Sequence, residues 1–258
     1  RCERLKFIQF SENSELEIIE RKAFALTPIK KVSIPSTVHQ IGEKAFQECE
    51  NLKFVEFPKD SELKSIEKLT FSFAWIENIK IPANVRKICE RAFSYCKNLQ
   101  TIEIPENSQL EVIEKNAFFN SAVEKINFPS KLKELREGWC SYTSKLTQIS
   151  ISSNNPYFKY VDNKFIVGKI NENESEYENL LFVRRDVHEI TIPKYIKRIE
   201  SRAFSQCKNI KTIGIPNDSQ LESIGFESFS YSSLEEISIP IQVNEIEERA
   251  FYWCRELQ

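Results

Sequence analysis

Short runs in which apolar and polar residues alternate recur along the whole chain, and most end in proline, as in Val32-Ser33-Ile34-Pro35. Such alternation with β-branched residues predicts a short β-strand, and proline, which has no N–H for a ladder, ends it. Ten strands are predicted at steps of 23 or 24 residues, apart from one step of 41. Their first apolar residues are Ile8, Val32, Val55, Ile79, Ile102, Ile126, Ile149, Ile190, Ile213 and Ile237.

Two further apolar features follow most strands. A pair of aliphatic residues three apart, such as Val85 and Ile88, predicts a short second strand. An Ala-Phe pair comes next, and we expect one short helical turn there that directs the phenylalanine inward. Trp139 is predicted to take the place of the phenylalanine in one further turn. The phenylalanines recur at alternating steps of 22 and 25 in each half of the chain: Phe24, Phe46, Phe71, Phe93, Phe118, Phe204, Phe229 and Phe251.

This period is typical of a repeat protein, in which each turn stacks on the next and the stack buries a continuous core. We therefore predict one solenoid domain over residues 1–258. The period is interrupted once, at residues 152–188, where residues 165–167 and 180–183 predict an inserted β-hairpin. The chain has no methionine and both ends fall within a repeat, so we expect it to be part of a longer protein.

Five of the seven cysteines share one position, three residues after the phenylalanine of alternate turns. Neighbouring members of this series are expected about 9–10 Å apart, because strands in a sheet are spaced by about 4.8 Å. A disulfide needs Cα atoms within about 7 Å, so we predict no bridges between them. The spacing of 47 residues also excludes a compact Cys-x-x-Cys metal site. The five are Cys2, Cys49, Cys96, Cys207 and Cys254.

Composition argues against several classes of function. The net charge of −2 gives no reason to expect nucleic acid or an anionic membrane as partner, and no apolar run is long enough to span a bilayer. The two histidines, His39 and His188, are far apart in sequence, and only five glycines are present, without a phosphate-binding loop. We therefore predict a protein that is not an enzyme, with no catalytic residues, cofactor or metal.

The repeat unit resembles the BspA-like class of leucine-rich repeats. Residues 79–99 show it nearly whole, from the strand through Ala92-Phe93 to Cys96 and Leu99. The resemblance covers the whole chain and implies a curved, right-handed leucine-rich-repeat solenoid with one strand per repeat on the concave side. It also implies a surface or secreted protein that acts in adhesion and host binding, although some members are intracellular. The class has no set of catalytic residues.

Candidate partner-binding residues lie at outward strand positions, on turns and in the insertion. Phe7 and Phe54 are either exposed anchors or inward core residues. Tyr95 and Tyr231, which follow the Ala-Phe turns, either bind a partner or cover the core, and the second interpretation is favoured. The acidic hairpin tip is either a binding loop or a solvated one, again with the second favoured. The candidates are Phe7, Gln9, Phe54, Glu56, Lys80, Glu103, Asn127, Tyr95, Tyr231, Glu174 and Tyr177.

The sequence therefore predicts a non-enzymatic protein-interaction module whose partner is a protein of unknown identity. One version is a surface module that binds host proteins. The alternative is an intracellular scaffold docked in a larger assembly, such as the cytoskeleton. The compartment stays open between the cell surface and the cell interior.

Overall fold

The protein is described by a computed structural model that covers residue 2 and residues 4–169 and 176–258. It is a parallel β-solenoid of about ten turns with one antiparallel insertion, which confirms the predicted fold class. Two compact units are distinguished, Arg1–Asn155 (unit 1) and Pro156–Gln258 (unit 2). The organisation as one domain stays a prediction.

Unit 1 carries three parallel sheets. The proline-terminated runs form a six-stranded sheet in the order β12-β10-β8-β6-β4-β2, and the second apolar pairs form β11-β9-β7-β5 and the pair β1-β3. Both sets of strands were predicted, but the first and last of the ten predicted runs, at Ile8 and Ile237, do not form strands, so that part of the prediction is wrong. The strands are β1 Ile18–Ile19, β2 Lys31–Ser33, β3 Gln40–Ile41, β4 Phe54–Glu56, β5 Ser65–Ile66, β6 Asn78–Lys80, β7 Lys87–Ile88, β8 Thr101–Glu103, β9 Val112–Ile113, β10 Lys125–Phe128, β11 Glu134–Leu135 and β12 Gln148–Ile151.

Unit 2 begins with an antiparallel sheet, β13-β14-β15, which continues into the parallel strands β17-β19-β20, while β16 pairs with β18. The predicted hairpin is present as β14 and β15. The sequence analysis missed β13, which joins β14 through a turn at Asp162 and Asn163 with φ of 50° and 53°. The strands are β13 Phe158–Val161, β14 Phe165–Gly168, β15 Asn179–Val183, β16 Ile190–Thr191, β17 Arg198–Ile199, β18 Ile213–Gly214, β19 Ser223–Ile224 and β20 Glu245–Ile246.

The Ala-Phe segments form a third hydrogen-bonded ladder, so the expected helical turn is wrong. The described residues contain no helix. Phe46 N donates to Thr70 O at 2.9 Å and Glu48 N donates to Ser72 O at 2.8 Å, both on the next turn of the solenoid. Gln47 lies between these two residues, and its N–H instead donates to Lys44 O of the same turn at 3.1 Å. Alternate N–H groups thus bond along the stack, as they do in a strand.

A residue with positive φ lies at each end of these segments. Lys44 has φ of 61° and Glu48 has φ of 57°, and neither is glycine. Such backbone costs on the order of 1 kcal/mol per residue, and it persists only where the surroundings hold it in place. Here the ladder bonds on both sides supply that restraint.

The phenylalanines form the predicted core stack within each unit. In unit 1 the ring centroids of Phe46 and Phe71 lie 5.5 Å apart, and those of Phe71 and Phe93 lie 5.4 Å apart. In unit 2 the Phe204–Phe229 distance is 4.9 Å, with an interplanar angle of 24°. Because strand spacing sets the repeat along the stack, equivalent rings meet face to face.

Trp139 occupies the alanine position of its turn, not the phenylalanine position. Phe118 N donates to Trp139 O at 2.8 Å, whereas the same bond in the preceding turn runs from Phe93 N to Ala117 O. Cys140 is therefore the residue at the phenylalanine position. A large Trp followed by a small Cys replaces a small Ala followed by a large Phe, so the two residues together keep the core filled. The indole meets Phe118 edge to face at 6.3 Å.

The cysteine series consists of unbridged thiols, as predicted. Cys49 Sγ donates to Phe24 O at 3.0 Å, and Cys96 Sγ donates to Phe71 O at 3.1 Å. Thr143 makes the same bond to Phe118 O through its hydroxyl. Burial raises the pKa of the Cys96 thiol to about 12, so the thiolate does not form at neutral pH. Cys49, Cys96 and Cys254 thus donate to a main-chain carbonyl, whereas the buried Cys207 thiol accepts from Arg185 Nη1 at 3.3 Å.

Candidate protein-binding surface

The outward residues of the six-stranded sheet form the surface of unit 1 that we call the strand face. In β2 the central Val32 is buried while Lys31 and Ser33 are exposed, and the same pattern holds in β4 and β6. The alternation along a strand therefore separates one core position from two surface positions, as predicted. The surface residues are Phe7, Lys31, Phe54, Asn78, Thr101, Lys125 and Gln148 in the first row and Gln9, Ser33, Glu56, Lys80, Glu103, Asn127 and Ser150 in the second.

Charged side chains on this face pair with the next turn. Lys31 Nζ lies 2.7 Å from Glu56 Oε1, and Ser33 Oγ donates to Glu56 at 2.7 Å. Those two donors lower the pKa of the Glu56 carboxyl. Lys80 Nζ and Glu103 Oε1 lie 2.8 Å apart. Because these pairs are exposed, they orient the side chains more than they stabilise the fold.

Asn127 has a structural role on this face. Its carboxamide accepts from Ile104 N at 3.1 Å and donates to Ile104 O at 2.5 Å. The side chain thereby continues the main-chain ladder between neighbouring turns, which leaves it less available to a partner than Glu103 or Lys80.

Phe7 and Phe54 both point away from the core, which decides between the two interpretations left open by the sequence. Phe7 is 73% exposed and Phe54 is 50% exposed. Phe54 belongs to β4 and Phe7 lies at the equivalent position of the turn before β2. Single exposed apolar residues are ordinary on protein surfaces, but two large exposed rings at equivalent positions of nearby turns are typical of a contact surface.

Tyr95 lies outside the strand face, in a row of aromatic rings along the Ala-Phe turns. It stacks on Phe73 with a centroid distance of 4.4 Å and meets Phe119 edge to face at 5.4 Å. Lys97 Nζ lies 5.9 Å from its ring centroid. The ring is half-buried and its contacts are mainly intramolecular, which favours a covering role. Its part in binding stays a prediction.

Tyr231 of unit 2 has similar surroundings. Its ring stacks on Trp253 at 5.7 Å and meets Tyr252 edge to face at 5.6 Å. Trp253 also has the Arg255 guanidinium 4.0 Å above its ring. This cluster is more exposed than the one around Tyr95, because Tyr252 and Trp253 are 42% and 47% exposed.

The insertion brings one candidate into a defined environment. Tyr177 Oη donates to Pro156 O at 3.1 Å, and the ammonium groups of Lys159 and Lys169 lie 4.2 Å and 5.0 Å from its ring centroid. These contacts anchor the second strand of the hairpin to the first part of the insertion. Glu174 lies outside the described residues.

An open cleft of about 430 Å³ lies at the base of the insertion. Arg184 holds Asp186 through two hydrogen bonds of 2.6 and 2.9 Å, and Lys164 Nζ donates to Glu189 O at 3.0 Å. Val187 and His188 complete much of its wall. Lys164, Arg184 and Asp186 thus have partners within the protein.

The described residues offer no candidate for a metal site or for a membrane-spanning helix. Within residues 4–169 and 176–258, no group of three or more His, Cys, Asp or Glu side chains is placed to hold a metal ion. In the same part of the chain, no helix is long and apolar enough to cross a membrane.

Sequence reasoning found both outward rows but missed the residues just before them. Lys6, Lys30 and Lys53 occupy this preceding position in the first three turns and are exposed. The signal was present, because the residue before each first-row position is polar in almost every turn.

Three comparisons place this geometry among known proteins. The chain is similar to the pneumococcal vaccine antigen PcpA, with 27% identity and a TM-score of 0.86 over 94% of this chain and 61% of that one. It is also similar to a leucine-rich cell surface protein from Faecalibacterium prausnitzii, with 22% identity and a TM-score of 0.67, over 94% of this chain and 76% of that one. A leucine-rich repeat protein from Bacteroides ovatus has 21% identity and a TM-score of 0.57, over 94% and 63%.

The chain thus spans less than two thirds of the length of PcpA. A comparison with curated proteins gave no match. The family described as BspA type leucine rich repeat region (6 copies) matches residues 1–84, 64–171 and 175–258. Its fold is typical of protein-interaction surface proteins. The chain belongs to the BspA type leucine-rich repeat family.

Proposed function

We propose that this chain is a non-enzymatic protein-binding module of the surface-adhesion type, and that the strand face of unit 1 contacts the partner. The observation that carries the proposal is the contrast between the two kinds of strand position. The central position of each strand is a buried aliphatic residue, as at Val32, Val55 and Ile79. The neighbouring outward residues change in size and charge from turn to turn.

This contrast has a simple physical basis. A solenoid holds its outward side chains on strands that are fixed by ladder bonds on both sides, so little backbone entropy is lost on binding. Large exposed rings such as Phe7 and Phe54 supply apolar area that a partner covers. The ion pairs between turns hold charged groups in a defined pattern, which favours specificity.

The comparisons support the surface version of the proposal. PcpA is described as a vaccine antigen and the Faecalibacterium protein as a cell surface protein. The alternative, an intracellular scaffold, is favoured by one feature, since buried unbridged thiols such as Cys49 and Cys96 suit a reducing compartment.

The test separates the two versions. Antibody labelling of intact and permeabilised source cells locates the protein, and beads coated with the chain measure binding to host cells. We expect labelling of intact cells and bead binding. Labelling only after permeabilisation, together with pull-downs that recover only cytoskeletal proteins, would establish the scaffold instead.

A paired charge exchange tests the binding face. Lys80→Glu with Glu103→Lys reverses an exposed ion pair on the strand face without changing net charge, and we expect it to reduce bead binding. Lys68→Glu with Glu90→Lys makes the same exchange in a pair of 2.6 Å outside the strand face and serves as control. Equal loss in both variants, or no loss in either, would contradict the proposed face.

A further inference from the structure

The first three turns of unit 1 carry a surface that differs from the rest of the strand face. Lys30 N donates to Lys6 O at 3.2 Å, and Lys53 N donates to Lys30 O at 3.0 Å, so these three lysines occupy one position of successive turns. The next position holds Phe7, Lys31 and Phe54, with Lys31 and Phe54 directly paired in register. We call these six residues the basic-aromatic patch: Lys6, Lys30, Lys53, Phe7, Lys31 and Phe54.

The patch has unsatisfied positive charge. Lys31 is paired with Glu56, and Lys53 Nζ lies 2.9 Å from Glu77 Oε1. No described carboxylate lies within ion-pair distance of Lys6 or Lys30, and both lysines are exposed. The positive character ends at the fourth turn, because Glu77, Gln100 and Glu124 then occupy the lysine position.

The two exposed rings, Phe7 and Phe54, add a second requirement that a partner must meet. Phe7 and Phe54 lie two turns apart, about 9–10 Å at the usual strand spacing, with the aliphatic stem of Lys31 between them. An extended chain of the polyproline II type advances about 3.1 Å per residue with three residues per turn, so residues three apart lie on the same side and match this separation. A partner segment that runs along the stack can place one apolar side chain beside each ring.

These features favour a protein segment over nucleic acid or a lipid surface. Glu56 and Glu77 border the patch, where they are held by Lys31 and Lys53. The phosphates of a nucleic acid or a lipid surface would therefore meet these two carboxylates. A peptide can place its carboxylates only where Lys6 and Lys30 are unpaired. No arginine belongs to the patch, although arginine is the residue best suited to bidentate phosphate contacts.

We infer that the basic-aromatic patch binds an extended, acidic protein segment with two large apolar residues about three positions apart. This inference rests on the proposed protein-binding function and specifies its partner class. Carboxylates of the segment pair with Lys6 and Lys30, and its apolar side chains cover Phe7 and Phe54.

Selection from a random 12-residue peptide library on the purified chain, at near-physiological salt, tests the inference. We expect the enriched peptides to be net negative with two large apolar residues at the stated spacing. Their affinity should fall at least about tenfold in Lys6→Glu/Lys30→Glu and in Phe7→Ala/Phe54→Ala. It should also fall several-fold when salt rises, because the lysines are exposed.

Matched variants separate the patch from general effects. Lys59→Glu/Lys64→Glu makes the same change in charge at two exposed lysines of unit 1 outside the strand face. Phe73→Ala/Trp75→Ala removes two rings that are 42% and 46% exposed. Both should keep the affinity within about twofold. Thermal melting followed by circular dichroism checks that every variant is folded.

Each remaining outcome overturns the inference in a recognisable way. Enriched peptides that are neutral or basic, or that bind both patch variants normally, contradict it. Peptides lost only in the Lys80→Glu/Glu103→Lys exchange would preserve the proposed function and place the partner elsewhere on the strand face. Tighter binding of a 20-nucleotide poly-dT strand or of phosphatidylserine vesicles would assign another partner class. Absence of any enriched peptide would count against both proposals.

Discussion

The strand face of unit 1 and the equivalent face of unit 2, which is formed at β16 and β18, have equivalent buried residues but expose different side chains. Ile190 and Ile213 pair in unit 2 as Val32 and Val55 do in unit 1. The positions that hold only phenylalanine and lysine in the first three turns of unit 1 hold three glutamates, a histidine, a threonine and a single lysine in unit 2. The unit 2 residues at these positions are His188, Lys211 and Glu235, followed by Glu189, Thr212 and Glu236.

This comparison shows that stacking constrains only the inward residues. Ladder bonds and the aromatic core require the same small set of side chains in every turn, while the outward positions are free to vary without loss of fold. Binding specificity in this protein is therefore expected to be a local property of a few turns. Four predictions test this view.

The largest effect is expected in the core, and it should be the same in both units. Phe71→Ala and Phe229→Ala each remove a fully buried ring from a stack, and each should lower the free energy of unfolding by about 3–5 kcal/mol. Phe54→Ala makes the same chemical change at a half-exposed position and should cost less than about 1 kcal/mol. Urea unfolding followed by circular dichroism measures all three.

A loss of similar size, but one that a second substitution should partly reverse, is expected where the core departs from its pattern. Trp139→Ala should cost about 3–5 kcal/mol, because it leaves a cavity beside Phe118 and Phe128. Adding Cys140→Phe restores the Ala-Phe order of the other turns and should recover about 1–2 kcal/mol. If the double variant is less stable than Trp139→Ala alone, the exchange of sizes proposed for this turn is wrong.

A smaller effect is expected from moving the patch between units. His188→Lys, Glu189→Phe, Thr212→Lys, Glu235→Lys and Glu236→Phe, together with the existing Lys211, rebuild its pattern in unit 2. In a protein whose own patch carries Phe7→Ala/Phe54→Ala, the graft should restore binding of the selected acidic peptides by about tenfold, or roughly 1.4 kcal/mol. Fluorescence polarisation measures this. A folded graft without gain would show that the two strand faces are not equivalent scaffolds.

The smallest effect concerns two glutamates that each follow a second-sheet strand. Burial opposes ionisation of Glu114, but hydrogen bonds from Lys87 and from Glu90 N lower its pKa overall. Burial raises the pKa of Glu200, which shares Arg198 with Glu247.

The two groups therefore respond to pH in opposite directions. The stability contributed by Glu114 is present above the pKa of the unfolded chain and is lost as pH falls through the lower folded value. The contribution of Glu200 is complete below the unfolded pKa and is lost as pH rises through the higher folded value. Glu114→Gln should cost on the order of 0.5–1 kcal/mol at pH 7 and less at pH 4.

Glu200→Gln provides the opposing case. Its stability relative to the unmodified chain should rise between pH 4 and pH 7, because glutamine mimics the protonated carboxyl. Urea unfolding at several pH values measures both trends. Parallel trends in the two variants would contradict the assigned pKa directions.

Much of this architecture could be predicted because it repeats. Alternation and proline located the strands, and the spacing of the phenylalanines located the core stack. The left-handed residues that bound the Ala-Phe segments were not predictable from residue type, since Lys44 and Glu48 have no preference for positive φ. Gly138 was an available signal, because it marks the first of these positions and so places Cys140 at the phenylalanine position.

The candidate surface was predicted less completely than the fold. Period-two alternation placed Phe7 and Phe54 in the outward row, but alternation was equally consistent with inward packing of both rings, and their exposure was seen only in the structure. The engagement of Asn127 with the neighbouring main chain and of Tyr95 with Phe73 depends on contacts between turns. Such contacts join residues more than 20 positions apart, and the spacing of one sequence does not specify them.

The three ladders of each turn also determine how the molecule responds to tension. Their hydrogen bonds point along the stack, so a force that separates the ends of unit 1 is directed along the bonds and opens one turn before the next is strained. Each turn of 23 or 24 residues then releases about 80 Å of extended chain. A protein of this kind lengthens in steps under flow and keeps its remaining turns folded, and with them the contacts that they make.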